Sequence, residues 1–286
     1  MSFAIGMGAE ELSIGLYCDK KDRPGVPYPV DPFGALTKGK YVFQLRNFEG
    51  SKANLKSLRL VGCLLGQYSP DQFRCLQTLT VACTNLAQYD LHGMFTCLLK
   101  LKSLTIERCT LPEKLSLNSL TQLENFMIVS CEGVKVVGVS NMNLVSIQSV
   151  RNNGFVFVLR AAPNLKHFRH LVRAIQLSFF LTQLQKHCPA LQSLAISTFS
   201  NLVKYTSPIA TANFCRVTKL CLIFGEGPPF DVVKMNSILR AFPCLKKLEF
   251  VLTLPDLEEG KAETNEYVHK HLKQVVFLGF RGTSDG

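Results

Sequence analysis

Tryptophan is absent from this 286-residue chain, and charged residues make up only 19% of it. Acidic groups are the scarcer kind, 21 Asp+Glu against 32 Lys+Arg, which leaves a formal charge of +11. No apolar run approaches the ~18 residues that a membrane helix needs. The longest, near Phe155 and Leu220, are of strand length, so no membrane partner is expected. The opening stretch MSFAIGMGAEELSIG has neither a basic n-region nor a long apolar h-region, so a secretory leader is not expected either. The 11 cysteines include no CxxC pair, and neither His187 with Cys188 nor His269 with His271 has partners at finger-like spacing. Metal binding is therefore not expected. Unpaired thiols point to a reducing compartment, cytoplasm and/or nucleus.

Motifs for chemistry are missing as well. There is no HExxH, no GxSxG and no spaced acidic pair. Gly225-Glu-Gly227 runs into proline, which cannot open a phosphate-cradling helix, and the Gly133 to Gly138 step lacks the Lys-Ser/Thr of a P-loop. The sequence thus predicts no enzyme and no cofactor. A pI near 9.2 raises nucleic acid as an alternative partner. Against it, no basic run of 5–8 residues exists, and phenylalanines fall mostly at core-type positions rather than on stacking platforms.

Apolar residues are plentiful, 47% of the chain, and 42 of all residues are leucine. That much apolar surface offsets chain entropy and excludes disorder. The leucines are ordered by a repeat, Leu-x-x-Leu-x-(Leu/Ile/Val). Its copies begin at Leu55, Leu76, Leu101, Leu123, Leu144, Leu165, Leu191, Val217, Leu245 and Leu272, spaced by 21, 25, 22, 21, 21, 26, 26, 28 and 27 residues. This spacing is that of leucine-rich repeats. The copies at Leu144 and Leu165 are incomplete, with Ser149 weak at the third apolar position of the first. Cys63, Cys109 and Cys131 each stand eight residues after a first anchor, where the repeat asks for a small, buried, weakly polar side chain; Cys83 falls one residue short.

The fold class that follows is α/β: a leucine-rich-repeat solenoid with a curved parallel sheet of about ten repeats. Anchors point inward and the residues between them outward, by the period of two. Returns on the convex side are expected to be irregular in the short early repeats and helical in the longer later ones, at 174–184 before Pro189 and at 232–242 before Pro243. Three regions are expected: 1–50, a strand-and-loop cap with a proline-rich loop at 22–40; 51–254, the repeats; and 255–286, an acidic loop at 255–267 plus the last strand.

The outward positions are rich in base. Lys56, Arg59, Lys102, Arg108, Lys166, His167, Arg169, Lys219, Lys246, Lys247 and Lys273 are the expected partner-binding residues of the concave face. A surface of that sign favours a protein partner with an acidic surface.

Three stretches resemble a known family. Ala9-Glu-Glu-Leu-Ser-Ile14, Asn54-Leu-Lys-Ser-Leu-Arg-Leu-Val-Gly-Cys63 and His271-Leu-Lys-Gln-Val-Val-Phe-Leu-Gly-Phe-Arg-Gly282 are similar to segments of plant F-box/leucine-rich-repeat proteins that end in an FBD-like segment. The resemblance implies the substrate-recognition region of an adaptor of a cullin-RING ubiquitin ligase. The sequence starts where the repeat region of that family starts, with no F-box before it, so docking on the Skp adaptor is not expected. The resemblance leaves room for a truncated or non-functional paralogue.

Overall fold

The computed structural model describes residues 9–15, 42–43, 54–65, 73–152, 154–171, 177–198, 213–224, 239–252 and 269–278. The chain forms two compact units, Met1–Leu144 with Val150–Phe155, and Val145–Ser149 with Val156–Gly286. Each is built from the same repeat: one short parallel strand per copy, apolar anchors inside, a return segment behind.

The first unit contains β1 (Glu11–Gly15), β2 (Val42–Phe43), β3 (Ser57–Val61), β4 (Leu64–Leu65), β5 (Thr78–Ala82), α1 (Leu91–Thr96), β6 (Ser103–Glu107), β7 (Lys114–Ser116), β8 (Asn125–Val129) and β9 (Val136–Ser140). Strands β1, β3, β5, β6 and β8 lie side by side in parallel. Their register places Leu58, Leu79, Leu104 and Phe126 in one inward row. Leu60, Val81, Ile106 and Ile128 form the next, and all of these side chains are buried. Single repeats cannot bury such a face alone, and stacking makes it continuous. On the return side β7 pairs with β9, which shows how a repeat of 21–22 residues closes: with a second short strand in place of a helix. The copy at Leu76, 25 residues long, has room for α1, a helix the pattern did not predict. Asp90 caps it, accepting a hydrogen bond from the Gly93 amide at 2.9 Å.

The second unit contains β10 (Ser146–Val150), β11 (Val156–Ala161), β12 (His167–Leu171), α2 (Leu177–His187), β13 (Ser193–Thr198), β14 (Lys219–Phe224), β15 (Lys247–Leu252) and β16 (Gln274–Leu278). Strands β10, β12, β13, β14, β15 and β16 are parallel neighbours in that order. All ten copies of the motif therefore form strands, and the leucine-rich-repeat solenoid expected from the spacing is the fold found. Helix α2 ends before Pro189, as expected, but runs three residues past the expected end, with Lys186 and His187 in its last turn facing the negative end of the helix dipole.

Aromatic side chains fill this unit where aliphatic anchors are missing. His170 takes an inward seat and is buried, 4.7 Å from the Phe157 ring, while Phe168 meets Phe157 edge-on at 5.3 Å and Phe180 at 5.2 Å. At the far end Phe250 stacks on Phe277 at 5.0 Å. Yet Val275 and Phe277 of β16 remain 45% and 54% exposed. Residues 22–40, 255–267, Phe280 and most of the helix expected at 232–242 lie outside the described residues; Leu239 and Arg240 are helical.

Candidate functional site

The corner after β3, β5, β6, β8 and β10 is a repeated device. Gly62, Cys83, Arg108, Ser130 and Arg151 have positive φ, between 50° and 68°. Each is seven residues after its first anchor, so the chain turns in the left-handed region at the same step of five copies. The next residue is buried under the turn: Cys63, Thr84, Cys109, Cys131, Asn152. Cys83 is thus the turn residue, and Thr84 holds the buried place that Cys83 missed by one position. These side chains bind backbone that the strands leave unpaired. Thr84 donates to the Cys63 carbonyl at 2.8 Å, Cys131 Sγ to the Ile106 carbonyl at 3.5 Å, and Asn152 Nδ2 to the Ile128 carbonyl at 2.9 Å. Asn152 Oδ1 accepts from the Cys131 amide at 2.8 Å. Burial pushes the Cys63 and Cys109 thiols up, and Cys188 up to about 12. Burial keeps these three thiols neutral and makes them poor nucleophiles, while the hydrogen bond from Cys109 draws the Cys131 thiol the other way. Among the described residues no three His, Cys, Asp or Glu side chains stand together as a metal-ligand set.

The outward face carries the candidate binding residues, and the two units present them differently. In the first, Lys56 sits just before β3 and bonds Glu10 at 2.7 Å; Lys102, just before β6, lies 3.6 Å from Glu124. Arg108 is on the left-handed turn past β6, not on the strand, and pairs with Glu107 at 2.5 Å. Arg59 is exposed in the middle of β3, in register with Ser13 and Thr80.

In the second unit Lys166, Lys246 and Lys273 precede β12, β15 and β16, and all three are exposed. Each of their residues takes part in the ladder through its backbone; the Lys246 amide donates to the Thr218 carbonyl, and the Lys273 amide to the Lys246 carbonyl, both at 2.9 Å. His167 and Arg169 are exposed on β12, and Lys219 on β14. Lys247 is half-buried on β15 and bonds Glu249 at 2.6 Å.

The strands of the second unit also carry a hollow of about 610 Å³. Its floor is low because Ser193, Ala195 and Cys221 are small. His167 and Arg169 rise on one side and Glu249 on the other, while Ile223 and Val251 give it an apolar border. Arg169, Ala195, Cys221 and Glu249 form one row across four strands. Burial, and then the neighbouring Glu249 carboxylate, pushes the Cys221 thiol up, with Arg169 pulling the other way. The charge pattern had pointed to His167 and Arg169. It passed over Ala195 and Cys221, whose signal was there to read: small residues at two consecutive outward positions where other copies carry Arg, Thr, Met, Gln, Glu or Val.

Residues 36–283 match the family model described as the leucine-rich-repeat domain of At1g61320/AtMIF1. No curated protein matches the chain.

Proposed function

The chain belongs to the At1g61320/AtMIF1 leucine-rich-repeat domain family, and from that membership we propose that it is a protein-binding scaffold whose outward sheet face captures a partner with an acidic surface. The fold is that of an interaction scaffold: parallel strands offer a broad, rigid array of side chains. The observation that carries the reading is the run of exposed cations on the second unit, Lys166, Arg169, Lys219, Lys246 and Lys273, with His167 exposed among them; of the second unit's candidate residues only Lys247 is in an ion pair among the described residues. Such a surface speeds the approach of an acidic partner and selects against basic ones.

In the same reading, the chain serves as the substrate-recognition region of an F-box adaptor of a ubiquitin ligase, ending in an FBD-like strand. Its support is the resemblance of the segments around Leu12, Leu58 and Val275. The chain works in cytoplasm or nucleus, supported by the ten described cysteines all being free thiols.

The test is a joint reversal of Lys56, Arg59, Lys102, Lys166 and Arg169 to glutamate. Proteins captured from extract are identified by mass spectrometry, with the circular-dichroism melt as control for folding. Capture is lost and the melt is unchanged. Unchanged capture would sink the outward face as the binding surface. A salt titration against duplex and single-stranded DNA separates the nucleic-acid alternative, which requires a steep salt slope.

A further inference from the structure

The hollow of the second unit has a polarity that the charge of the face alone does not give. Its row begins with a cation, Arg169, and ends with an anion, Glu249. Glu249 is already bonded to Lys247 at 2.6 Å, whereas Arg169 is in no ion pair among the described residues. Between them the floor drops, since Ala195 and Cys221 extend no further than a β-carbon and a thiol. One row further along the strands Ile223 and Val251 are direct neighbours, half-buried and apolar. A carboxylate entering this hollow is drawn to the Arg169 end and repelled from the Glu249 end, and an apolar side chain is drawn to the Ile223–Val251 border.

We infer that this hollow seats an extended peptide segment of the partner, with a carboxylate side chain on Arg169 and an apolar side chain against Ile223 and Val251. The strands set the spacing. Arg169 and Ile223 are two strands and two residues apart, a diagonal of about 12 Å from the ~4.8 Å strand spacing and ~3.3 Å rise. An extended chain covers that in about three or four residues. The hollow therefore reads Glu or Asp followed or preceded by Leu, Ile, Val or Phe about three or four positions away. This rests on the scaffold reading above and sharpens it from an acidic surface to an acidic-apolar motif.

The experiment uses the full chain and an array of immobilised peptides in a Gly/Ser background. Each carries one Glu and one Leu at separations from one to six, in both orders. Binding peaks at a separation of three or four. Replacing the peptide's Glu by Gln, or Arg169→Gln in the protein, weakens it about tenfold, the loss of one charge-assisted pair. Ala195→Leu, which fills the floor from an outward position, removes the peak, with the melt as its folding control. Lys135→Ala, on the return side of the first unit just before β9, changes nothing. A silent array, a signal independent of spacing, or binding untouched by Arg169→Gln overturns the inference. If the array fails while the five-residue reversal still abolishes protein capture, the seat is wrong and the scaffold reading stands. If neither variant affects capture, both fall.

Discussion

Basic residues of the outward face stand beside carboxylates in the first unit and mostly apart from them in the second. Of Lys56, Arg59, Lys102 and Arg108, three are in ion pairs. Of Lys166, His167, Arg169, Lys219, Lys246, Lys247 and Lys273, only Lys247 is, among the described residues. The strand chemistry beneath is the same, because inward anchors set the fold and outward positions are free of it. The first unit also shows a ladder of buried corner groups, Cys63 through Asn152, that ties one repeat to the next. One unit thus displays how the solenoid is held, the other how it presents charge. Variants in the two should separate stability from binding.

The largest effect is expected from reversing the unpaired cations of the second unit. Lys166, Arg169, Lys219, Lys246 and Lys273 changed together to glutamate weaken partner capture on the order of a hundredfold, through lost steering and complementarity. The equivalent change of Lys56, Arg59 and Lys102 weakens it about twofold to threefold, since two of those charges are already satisfied. Equal losses measured by surface plasmon resonance would erase the distinction between the units.

The corner ladder gives the converse result. Asn152→Ala strips partners from the Cys131 amide and the Ile128 carbonyl, both inside the first unit. A cost of about 3 kcal/mol is expected in urea unfolding, from one hydrogen-bond network and the buried groups it leaves bare. Capture by the folded fraction is unchanged. Gly133 offers a second break in the same unit. Its φ is +84°, and an added Cβ would press into the Leu111 carbonyl oxygen. Gly133→Ala should cost about 2 kcal/mol, again with binding intact. If either variant reduced capture in proportion to its instability at temperatures where the protein stays folded, the division of labour would fail.

Much of this was legible in the residues. Ten copies of the motif predicted ten strands, and the inward rows follow the anchors one for one. Even the weak copies at Leu144 and Leu165 form strands, because Ser149 and His170 are buried in the anchor places, His170 between phenylalanines. What escaped was set by return length and by single-residue offsets. Helix α1 needed the few extra residues of the 25-residue copy, and β7 and β9 arise from backbone pairing between returns, which no side-chain period records. Cys83 was offset by one because the rule reads residue type, while the turn reads φ. The hollow was hidden for a different reason: charge announces itself in a sequence, and small side chains such as Ala195 and Cys221 do not.

Alkaline pH probes a buried group of the second unit. Burial raises Cys188 from 9.0 to about 12, so the folded form holds its proton where the unfolded form has lost it. That contribution is full below pH 9 and declines as pH rises from 9 toward 12. Stability from chemical denaturation should fall across that window, and Cys188→Ala should flatten the fall while lowering stability at pH 7. An unchanged slope would mean that the thiol is reached by solvent. Alkylation at pH 8 provides the control: exposed Cys215 reacts in the native protein, and Cys63, Cys109 and Cys188 only after unfolding.

The smallest effect is the sharpest test of the comparison, since it converts one unit toward the other. Glu10→Gln with Glu124→Gln removes the carboxylates that hold Lys56 and Lys102. Both pairs are about half exposed, and such pairs contribute about 0–1 kcal/mol, so unfolding should move by less than that. The two lysines are then free to act on a partner. Association should quicken about twofold at low salt and return to the parent rate at ~0.5 M, where charges more than a few ångströms apart are screened. A stability loss above about 2 kcal/mol would mean that the ion pairs are part of what holds the strands together. An association rate unmoved at any salt would mean that the first unit's face does not meet the partner, and that capture belongs to the second unit alone.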